Sequence, residues 1–228
     1  MASVIFDLDG TLARRDTYLP FIFYCLKEFG LKKRPAFCLP LHVLLYCCRI
    51  VTKARLKEAL LECVLTGVSL DRLKPIVEKY VARLIESGLN QSLVKILQDH
   101  LNSGDRVIVA TASLDLYVLA LCRRLGVENV VCTRAQVERG VVTGQIVGEN
   151  CRGVEKVRRL EECLSPDDWQ QSVFYTDHHA DLPLLRRVSR GFLVSPSLLT
   201  RLFFALRCPA LPQLSKWEKT GEECSTCL

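Results

Sequence analysis

Two aspartates stand two residues apart directly after the first apolar run of the chain. Residues 4–6 are Val, Ile and Phe, and Asp7 and Asp9 follow with Leu8 between them. A strand that ends at this point lets Leu8 turn into the core while both carboxylates face a ligand. The alternative interpretation is an ordinary acidic turn after a strand. The positions of the other acids in the chain distinguish between the two interpretations.

A second acidic cluster follows a second apolar run. Residues 172–176 lead into Asp177, and Asp181 comes four residues later. Parallel strands bring their carboxyl ends to one edge of a sheet, so these acids are expected to meet Asp7 and Asp9 there. Crowded carboxylates repel one another, and a hard divalent cation such as Mg²⁺ relieves that repulsion. The pattern predicts a Mg²⁺ site that serves phosphate chemistry.

Two other segments supply groups that phosphoryl transfer needs. The apolar run 106–110 ends in Thr111, Ala112 and Ser113, which offer hydroxyls and backbone N–H donors at the start of a predicted helix. The helix predicted from residue 153 carries Lys156, a cation that would balance the acids and the transferred group.

The elements that must position these residues alternate between strand and helix from residue 90 onward. This alternation predicts an α/β fold with a doubly wound parallel sheet. The predicted strands are 106–110, 129–132, 172–175 and 191–194, with a hairpin or flap at 137–147. The predicted helices are 91–101, 114–125, 153–164 and 181–188.

Residues 13–89 form a different region, rich in Leu, Lys, Glu and Arg and without a short strand pattern. They predict a helical cap domain inserted over the carboxyl ends of the strands, with helices at 18–29, 41–51, 53–65 and 70–87. The core domain would then comprise residues 1–12 and 90–215. Residues 216–228, which include the pair Cys224 and Cys227, are expected to form a flexible tail.

The net charge of +6 is concentrated in the inserted region. Residues 14–89 hold 14 Lys and Arg against 7 Asp and Glu, which favours an anionic substrate, with a solvated basic face as the alternative. The apolar run 35–48 is too short to span a membrane. It is interpreted as a buried cap helix, with peripheral contact with a lipid surface as the alternative, and the run 198–211 is equally ambiguous.

Cysteine usage and the first residues of the chain bear on its compartment. The sequence contains 12 cysteines, many of them inside apolar runs, and its first residues lack the pattern of a signal peptide. We therefore expect reduced, mostly buried thiols and a cytoplasmic protein.

Taken together, the motifs resemble those of the haloacid dehalogenase superfamily. Asp7-Leu8-Asp9-Gly10-Thr11, then Thr111, Lys156 and the Asp177 to Asp181 segment, occur in the order of the four motifs of that superfamily. The stretches CRGVEKVRRL (151–160) and YTDHHADLPLL (175–185) are similar to its phosphoserine-phosphatase-like branch. The resemblance covers almost the whole chain and implies a Rossmann-like core with an inserted helical cap.

The resemblance also implies catalytic roles. Asp7 would be the nucleophile that forms an aspartyl-phosphate, and Asp9 would be the general acid and then the base. Lys156 would neutralise Asp7 and the phosphate. The phosphoryl group would lie among the residues of the second motif and the first turn, namely Thr111, Ala112, Ser113 and Gly10.

The metal implied by the resemblance is Mg²⁺. Its ligands would be the carboxylates of Asp7 and Asp177 and the backbone carbonyl of Asp9, with Asp181 supporting the site. One departure concerns the substrate, because the phosphoserine phosphatases have a glutamate after the first motif where this chain has only Asp16 beside two arginines. This difference weakens phosphoserine as the substrate.

These observations predict a Mg²⁺-dependent phosphatase that acts on a small phosphorylated metabolite or an amphiphilic phosphate. A phosphotransferase with the same residues is one alternative, and a non-catalytic scaffold that binds a membrane or partner is another. No nucleic-acid partner is expected, and the sequence specifies no oligomeric state.

Overall fold

The computed structural model describes residues 2–29, 52–207, 214–217 and 223–224 of the 228-residue chain. Two predictions, the helix at 41–51 and the interpretation of the apolar run 35–48, lie outside the described residues, as does most of the predicted tail.

The fold is built on one sheet whose first strand lies near its centre. Within the described part of the chain the strand order is β4-β3-β2-β1-β5-β6-β7-β8, with β4 and β8 antiparallel to their neighbours and the other pairs parallel. The strands are β1 Ser3–Phe6, β2 Arg106–Leu114, β3 Asn129–Glu138, β4 Val141–Val147, β5 Ser172–Thr176, β6 Arg190–Val194, β7 Leu214–Trp217 and β8 Glu223–Cys224.

Helices flank this sheet. The described helices are α1 Tyr18–Phe29, α2 Lys53–Leu65, α3 Leu70–Arg83, α4 Gln91–Asn102, α5 Asp115–Arg124, α6 Val154–Glu161, α7 Pro166–Gln170, α8 Leu182–Leu185 and α9 Leu198–Arg207. Helices α1 to α5 contribute to one hydrophobic cluster together with Val4 and Phe6. Helices α6 to α9 contribute to a second cluster together with Ile5. Alternate residues of β1 therefore enter cores on opposite faces of the sheet, which confirms the doubly wound α/β prediction.

The strand register brings the chemistry to one edge. Phe6, the last residue of β1, is level with Val109 of β2 and with Tyr175 of β5. The chain consequently leaves β1 and β5 at the same edge of the sheet, beside β2. This arrangement is what the sequence pattern requires of Asp7 and Asp177.

The region between β1 and α4 is helical in its described part, as predicted. α1 and α2 coincide with the predicted helices at 18–29 and 53–65. The predicted helix at 70–87 is divided, because α3 ends at Arg83 and a π-helical turn, Leu84–Gly88, follows it. Phe21 of α1 and Tyr80 of α3 contact Tyr117 of α5, so an aromatic cluster joins this region to the sheet domain.

Several boundaries differ from the sequence expectation. β2 continues through residues 111–113 to Leu114, so these residues end a strand instead of starting a helix. Its pairing with β3 shifts register between Ala110 and Leu114, the stretch in which Thr111 and Ser113 interrupt the apolar pattern. The hairpin predicted at 137–147 is confirmed, because Val137 pairs with Val142 across the turn. β7 and β8 lie in or next to the segment expected to form a tail.

None of the helices in the described segments is both long and apolar enough to cross a bilayer.

Candidate active site

Asp7 stands where β1 ends. Its backbone N–H donates to the carbonyl of Tyr175 over 2.9 Å, so the sheet ladder holds the residue in place. Its side chain is buried, and Oδ1 accepts a hydrogen bond of 2.9 Å from Lys156 Nζ. Burial acts to raise the pKa of Asp7, with Asp181 and Asp9 adding to the effect, whereas Lys156 opposes it. A cation bound between Asp7 and Asp177 would lower that pKa further and keep Asp7 ionised.

Lys156 lies between two carboxylates. From α6 its ammonium reaches Asp7 Oδ1 at 2.9 Å and Asp181 Oδ1 at 2.8 Å. Asp181 is fixed in turn, because its Oδ2 accepts a 2.7 Å hydrogen bond from the hydroxyl of Thr176. Burial acts to lower the pKa of Lys156, but the two carboxylates outweigh it and hold that pKa above its ordinary value.

Asp177 is partly buried and forms no ion pair with any described residue. Its Oδ1 is buried and makes no hydrogen bond to any described residue. Burial raises the pKa of Asp177 to about 6, with Asp181 and Asp9 adding to the shift. A buried carboxylate oxygen without a partner is costly, so this position fits an additional cation.

Gly10 makes room for that carboxylate. A Cβ atom at residue 10 would lie 2.2 Å from Asp177 Oδ2, and Gly10 has φ +82°, where side chains are strained. Any other residue would therefore push Asp177 away from the edge of the sheet. The glycine of the first motif is explained by this close approach.

A metal ion at this site would need backbone oxygen ligands in addition to side chains. Among the described residues, no group of three or more His, Cys, Asp or Glu side chains is arranged to hold an ion. The predicted ligand set has only two carboxylates, from Asp7 and Asp177, and takes its third oxygen from the backbone of Asp9. That set of hard oxygen donors, with the unpartnered oxygen of Asp177, suits Mg²⁺.

The side chain of Asp9 points to a different set of partners from Asp7. Oδ1 accepts hydrogen bonds from Thr17, from the backbone N–H at 2.7 Å and from the hydroxyl at 2.6 Å. Oδ2 accepts a 2.6 Å hydrogen bond from the hydroxyl of Ser113. The two acids of the first motif are thus held separately, one by a cation and one by neutral donors.

The residues at the end of β2 differ in exposure. Thr111 is fully buried, and its hydroxyl oxygen accepts a hydrogen bond of 3.1 Å from the N–H of Ser113. Ala112 and Ser113 line the pocket, whereas Thr111 lies outside its lining and bonds to the backbone of Ser113. The role of all three in phosphate binding stays a prediction.

These groups open into one pocket of about 590 Å³. Asp7, Asp9, Lys156, Asp177 and Asp181 all line it, so the structure brings the predicted acids and the lysine together. The rest of the lining includes basic and apolar side chains. They are Arg14, Arg15, Lys57 and Arg152, with Tyr18, Leu19, Leu56 and Leu60.

Sequence reasoning missed two features of this pocket. Lys57 belongs to the basic region 14–89, and its sequence neighbours do not indicate that it is buried; it donates hydrogen bonds to the carbonyl of Ala112 and, over 2.7 Å, to Asn150 Oδ1. Asn150 also accepts a 2.9 Å hydrogen bond from Thr133. No sequence signal pointed to Asn150, because a lone asparagine after a hairpin is an ordinary loop residue.

Comparison with known families decides the relationship. The family model for haloacid dehalogenase-like hydrolases matches residues 4–186, which include both acidic motifs and Lys156. The chain belongs to this family. The resemblance deduced from the motifs is therefore confirmed, and so is the prediction that the chain is an enzyme, a hydrolase of the phosphatase type within the haloacid dehalogenase-like family.

Relatives of this hydrolase include proteins with and without a stated activity. Protein CicA of Caulobacter vibrioides is 28% identical over 187 residues, which cover 80% of this chain and 81% of CicA. A histidinol-phosphatase of Neisseria meningitidis is 25% identical over 138 residues, covering 58% of this chain and 62% of that protein.

Solved structures share the fold of the hydrolase. A protein of unknown function from Bordetella pertussis superposes with a TM-score of 0.78 at 26% identity, covering 91% of this chain and 96% of that chain. A phosphoserine phosphatase, solved as an analogue of its phospho-aspartyl intermediate, gives a TM-score of 0.57 at 15% identity and covers 88% and 90% of the two chains. At that identity the second likeness concerns the fold alone.

Proposed function

We propose that this hydrolase is a Mg²⁺-dependent phosphatase that cleaves a phosphate monoester through an aspartyl-phosphate. The observation that carries the proposal is the position of Lys156, whose ammonium bridges Asp7 and Asp181 at 2.9 and 2.8 Å in the pocket that Asp9 and Asp177 also line. A carboxylate at a strand end beside a buried cation is suited to attack phosphorus, because the cation offsets the negative charge of the reacting groups.

Asp7 acts as the nucleophile in this proposal. Its free carboxylate oxygen attacks the phosphorus atom, the bond to the leaving oxygen breaks, and Asp9 donates a proton to that oxygen. Asp9 then accepts a proton from the water that hydrolyses the aspartyl-phosphate. Lys156 neutralises Asp7 before the attack and the phosphoryl charge during it.

Mg²⁺ would be held by the carboxylates of Asp7 and Asp177 and the backbone carbonyl of Asp9, and Asp181 would support the site. The unpartnered Oδ1 of Asp177 supports this assignment. When bound, the ion supplies positive charge that offsets the charge on the phosphoryl oxygens. Thr111, Ala112, Ser113 and Gly10 are assigned to hold the phosphoryl group through hydroxyls and backbone N–H donors.

Residues 13–89 are assigned as the cap domain, residues 1–12 and 90–215 as the core, and 216–228 as the tail. Helices α1 and α2 of the cap segment contribute Leu19, Lys57 and Leu60 to the same pocket as the acids. A pocket lined by basic and apolar side chains suits a phosphorylated small molecule, with an amphiphilic phosphate included. The histidinol-phosphatase among the relatives supports a phosphorylated small-molecule substrate.

The proposal is tested by presenting the purified 228-residue chain with a panel of phosphorylated metabolites and lipids in the presence of Mg²⁺. Release of inorganic phosphate from a monoester is expected, with activity lost in EDTA and restored by added Mg²⁺. An added acceptor alcohol separates hydrolysis from transfer to that alcohol. Full activity in chelator would contradict the metal assignment. Absence of phosphate release from every compound of the panel would contradict the proposed phosphatase activity.

A further inference from the structure

The carboxylate of Asp9 is held by three hydrogen-bond donors within the described part of the chain. Two come from Thr17, its backbone N–H at 2.7 Å and its hydroxyl at 2.6 Å, and both reach Oδ1. The third is the hydroxyl of Ser113, which donates to Oδ2 over 2.6 Å. A carboxylate has about four acceptor sites, two on each oxygen. The acceptor site left open is therefore on Oδ2.

Thr17 is itself held by two buried tyrosines. Its hydroxyl lies 2.8 Å from the hydroxyl of Tyr117, which belongs to α5 beside the sheet. Its carbonyl accepts a 2.6 Å hydrogen bond from the hydroxyl of Tyr80, which belongs to α3 in the helical region. Burial raises the pKa of both phenols above the ordinary value, so both remain protonated donors at neutral pH.

The direction of these bonds follows from the number of protons. The hydroxyl of Thr17 has one proton and gives it to the carboxylate of Asp9, so it must accept from Tyr117. The resulting chain runs from Tyr117 through Thr17 to Asp9, and each hydrogen bond polarises the next. Thr17 is 1% exposed, so water does not replace these partners.

We infer that Thr17 is a positioning residue for Asp9 in the second half of the reaction. The inference rests on the proposed function. In that step a water oxygen bonds to phosphorus, the bond between phosphorus and the Asp7 oxygen breaks, and the water proton passes to the open site on Asp9 Oδ2. Thr17 fixes the orientation of Oδ1, and the open site on Oδ2 is thereby fixed as well.

The test compares Thr17→Val, which removes the hydroxyl at nearly constant volume, with Thr17→Ser, which keeps it. The substrate is p-nitrophenyl phosphate with Mg²⁺, because its leaving group departs without a proton from Asp9. Thr17→Val is expected to lower kcat roughly tenfold, a part of what a positioned base contributes. KM falls with kcat, so kcat/KM, which reports phosphorylation of Asp7, changes by less than about twofold.

Rapid mixing supplies the second readout. Thr17→Val should release a burst of p-nitrophenolate of about one equivalent per active site, since the aspartyl-phosphate accumulates. Thr17→Ser should keep wild-type kinetics without an added burst. A purely structural role would lower kcat and kcat/KM together and give no burst, and that result would overturn the inference, as would identical behaviour of the Ser and Val variants.

A further variant covers the case in which Thr17→Val does not fold. Tyr117→Phe removes only the phenolic hydroxyl that donates to Thr17. It should also lower kcat while leaving kcat/KM nearly unchanged, with a smaller loss of kcat than in Thr17→Val. Equal loss in both constants would reject the inference. If the wild-type chain turns over no phosphate monoester, the proposed function fails and the inference fails with it, whereas wild-type turnover without the split rejects the inference alone.

Discussion

Two buried lysines line the same pocket from different parts of the molecule. Lys156 comes from α6 beside the sheet, and Lys57 comes from α2 in the helical region. Lys156 bonds to two carboxylates, those of Asp7 and Asp181. Lys57 bonds to two neutral oxygens, the carbonyl of Ala112 and the amide oxygen of Asn150.

This difference in partners reverses the effect of burial on the ammonium groups. The pKa of Lys156 stays above its ordinary value, because two carboxylates overcome the desolvation of the charge. Burial lowers the pKa of Lys57 to about 8, since Asp9 and Asp16 only partly oppose it and Arg152 adds to the lowering. Burial alone therefore does not define a lysine's role, and the charge of its partners decides it.

The comparison assigns the two lysines to different tasks. Lys156 is a permanent cation at the place where negative charge would develop. Lys57 instead joins α2 to the end of β2 and to the loop at Asn150, which places a helix of the inserted region against the sheet edge. In the proposed mechanism, catalysis depends on Lys156, whereas the position of α2 against the sheet edge depends more on Lys57.

The largest expected effect comes from Asp7→Asn, which removes one charged partner of Lys156 and the nucleophile with little change in volume. We expect kcat on a generic aryl phosphate to fall by at least about 10³-fold. The fold should persist, because Lys156 keeps Asp181 as its partner. Steady-state kinetics and a thermal melt measure both results.

Asp16→Asn is the matched control for this variant. Asp16 lines the same pocket, but its carboxylate accepts a hydrogen bond of 2.8 Å from the N–H of Leu19 at the start of α1. The loss of activity should be much smaller than for Asp7→Asn. Wild-type turnover by Asp7→Asn would refute the mechanism.

A stability effect of intermediate size separates the two lysines directly. Lys156→Met leaves two buried carboxylates without their cation, and it should lower the free energy of unfolding by about 3–5 kcal/mol at pH 7. Lys57→Met leaves only neutral acceptors without a donor, and the loss should be about 1–2 kcal/mol. Urea unfolding in the presence of chelator measures both values. Equal losses would show that partner charge does not distinguish the lysines.

The smallest effect is a pH dependence of stability from Lys57. Its pKa is about 8 in the folded chain against 10.5 as the ordinary value, so between these pH values the unfolded chain binds a proton that the folded chain lacks. The free energy of unfolding of the wild type, relative to Lys57→Met, should therefore rise with pH by about 3 kcal/mol across this window. Below pH 8 the relative stability should be constant.

The measurement is urea unfolding of both proteins at several pH values between 7 and 11, with chelator present. Subtracting the variant removes the contributions of groups that both proteins share, although Asp9, Asp16, Cys151 and Arg152 remain close to residue 57. A difference that stays flat across the window would mean that Lys57 is not desolvated in solution.

The sequence was most informative where a pattern is repeated or rigid. Helix periodicity placed α1 and α2 at the residues where they occur, and apolar runs located β1, β5 and β6 to within about a residue. It was less informative at the end of β2, where Thr111 to Ser113 interrupt the apolar pattern but continue the strand through a register shift. The π-helical turn after Arg83 was not predicted, because it leaves the side-chain pattern of a helix nearly unchanged.

By itself, the sequence determined the fold class through the alternation of strands and helices. It also identified the acids, because Asp7 and Asp177 directly follow strands, and Lys156 through the order of the motifs. The structure decided their pairing: Lys156 between Asp7 and Asp181, Asp9 bound to Thr17 and Ser113, and Lys57 directed to neutral oxygens. These contacts join residues up to 149 positions apart. Spacing along the chain carries no information on such distances, since only the packing of helices on the sheet brings the partners together.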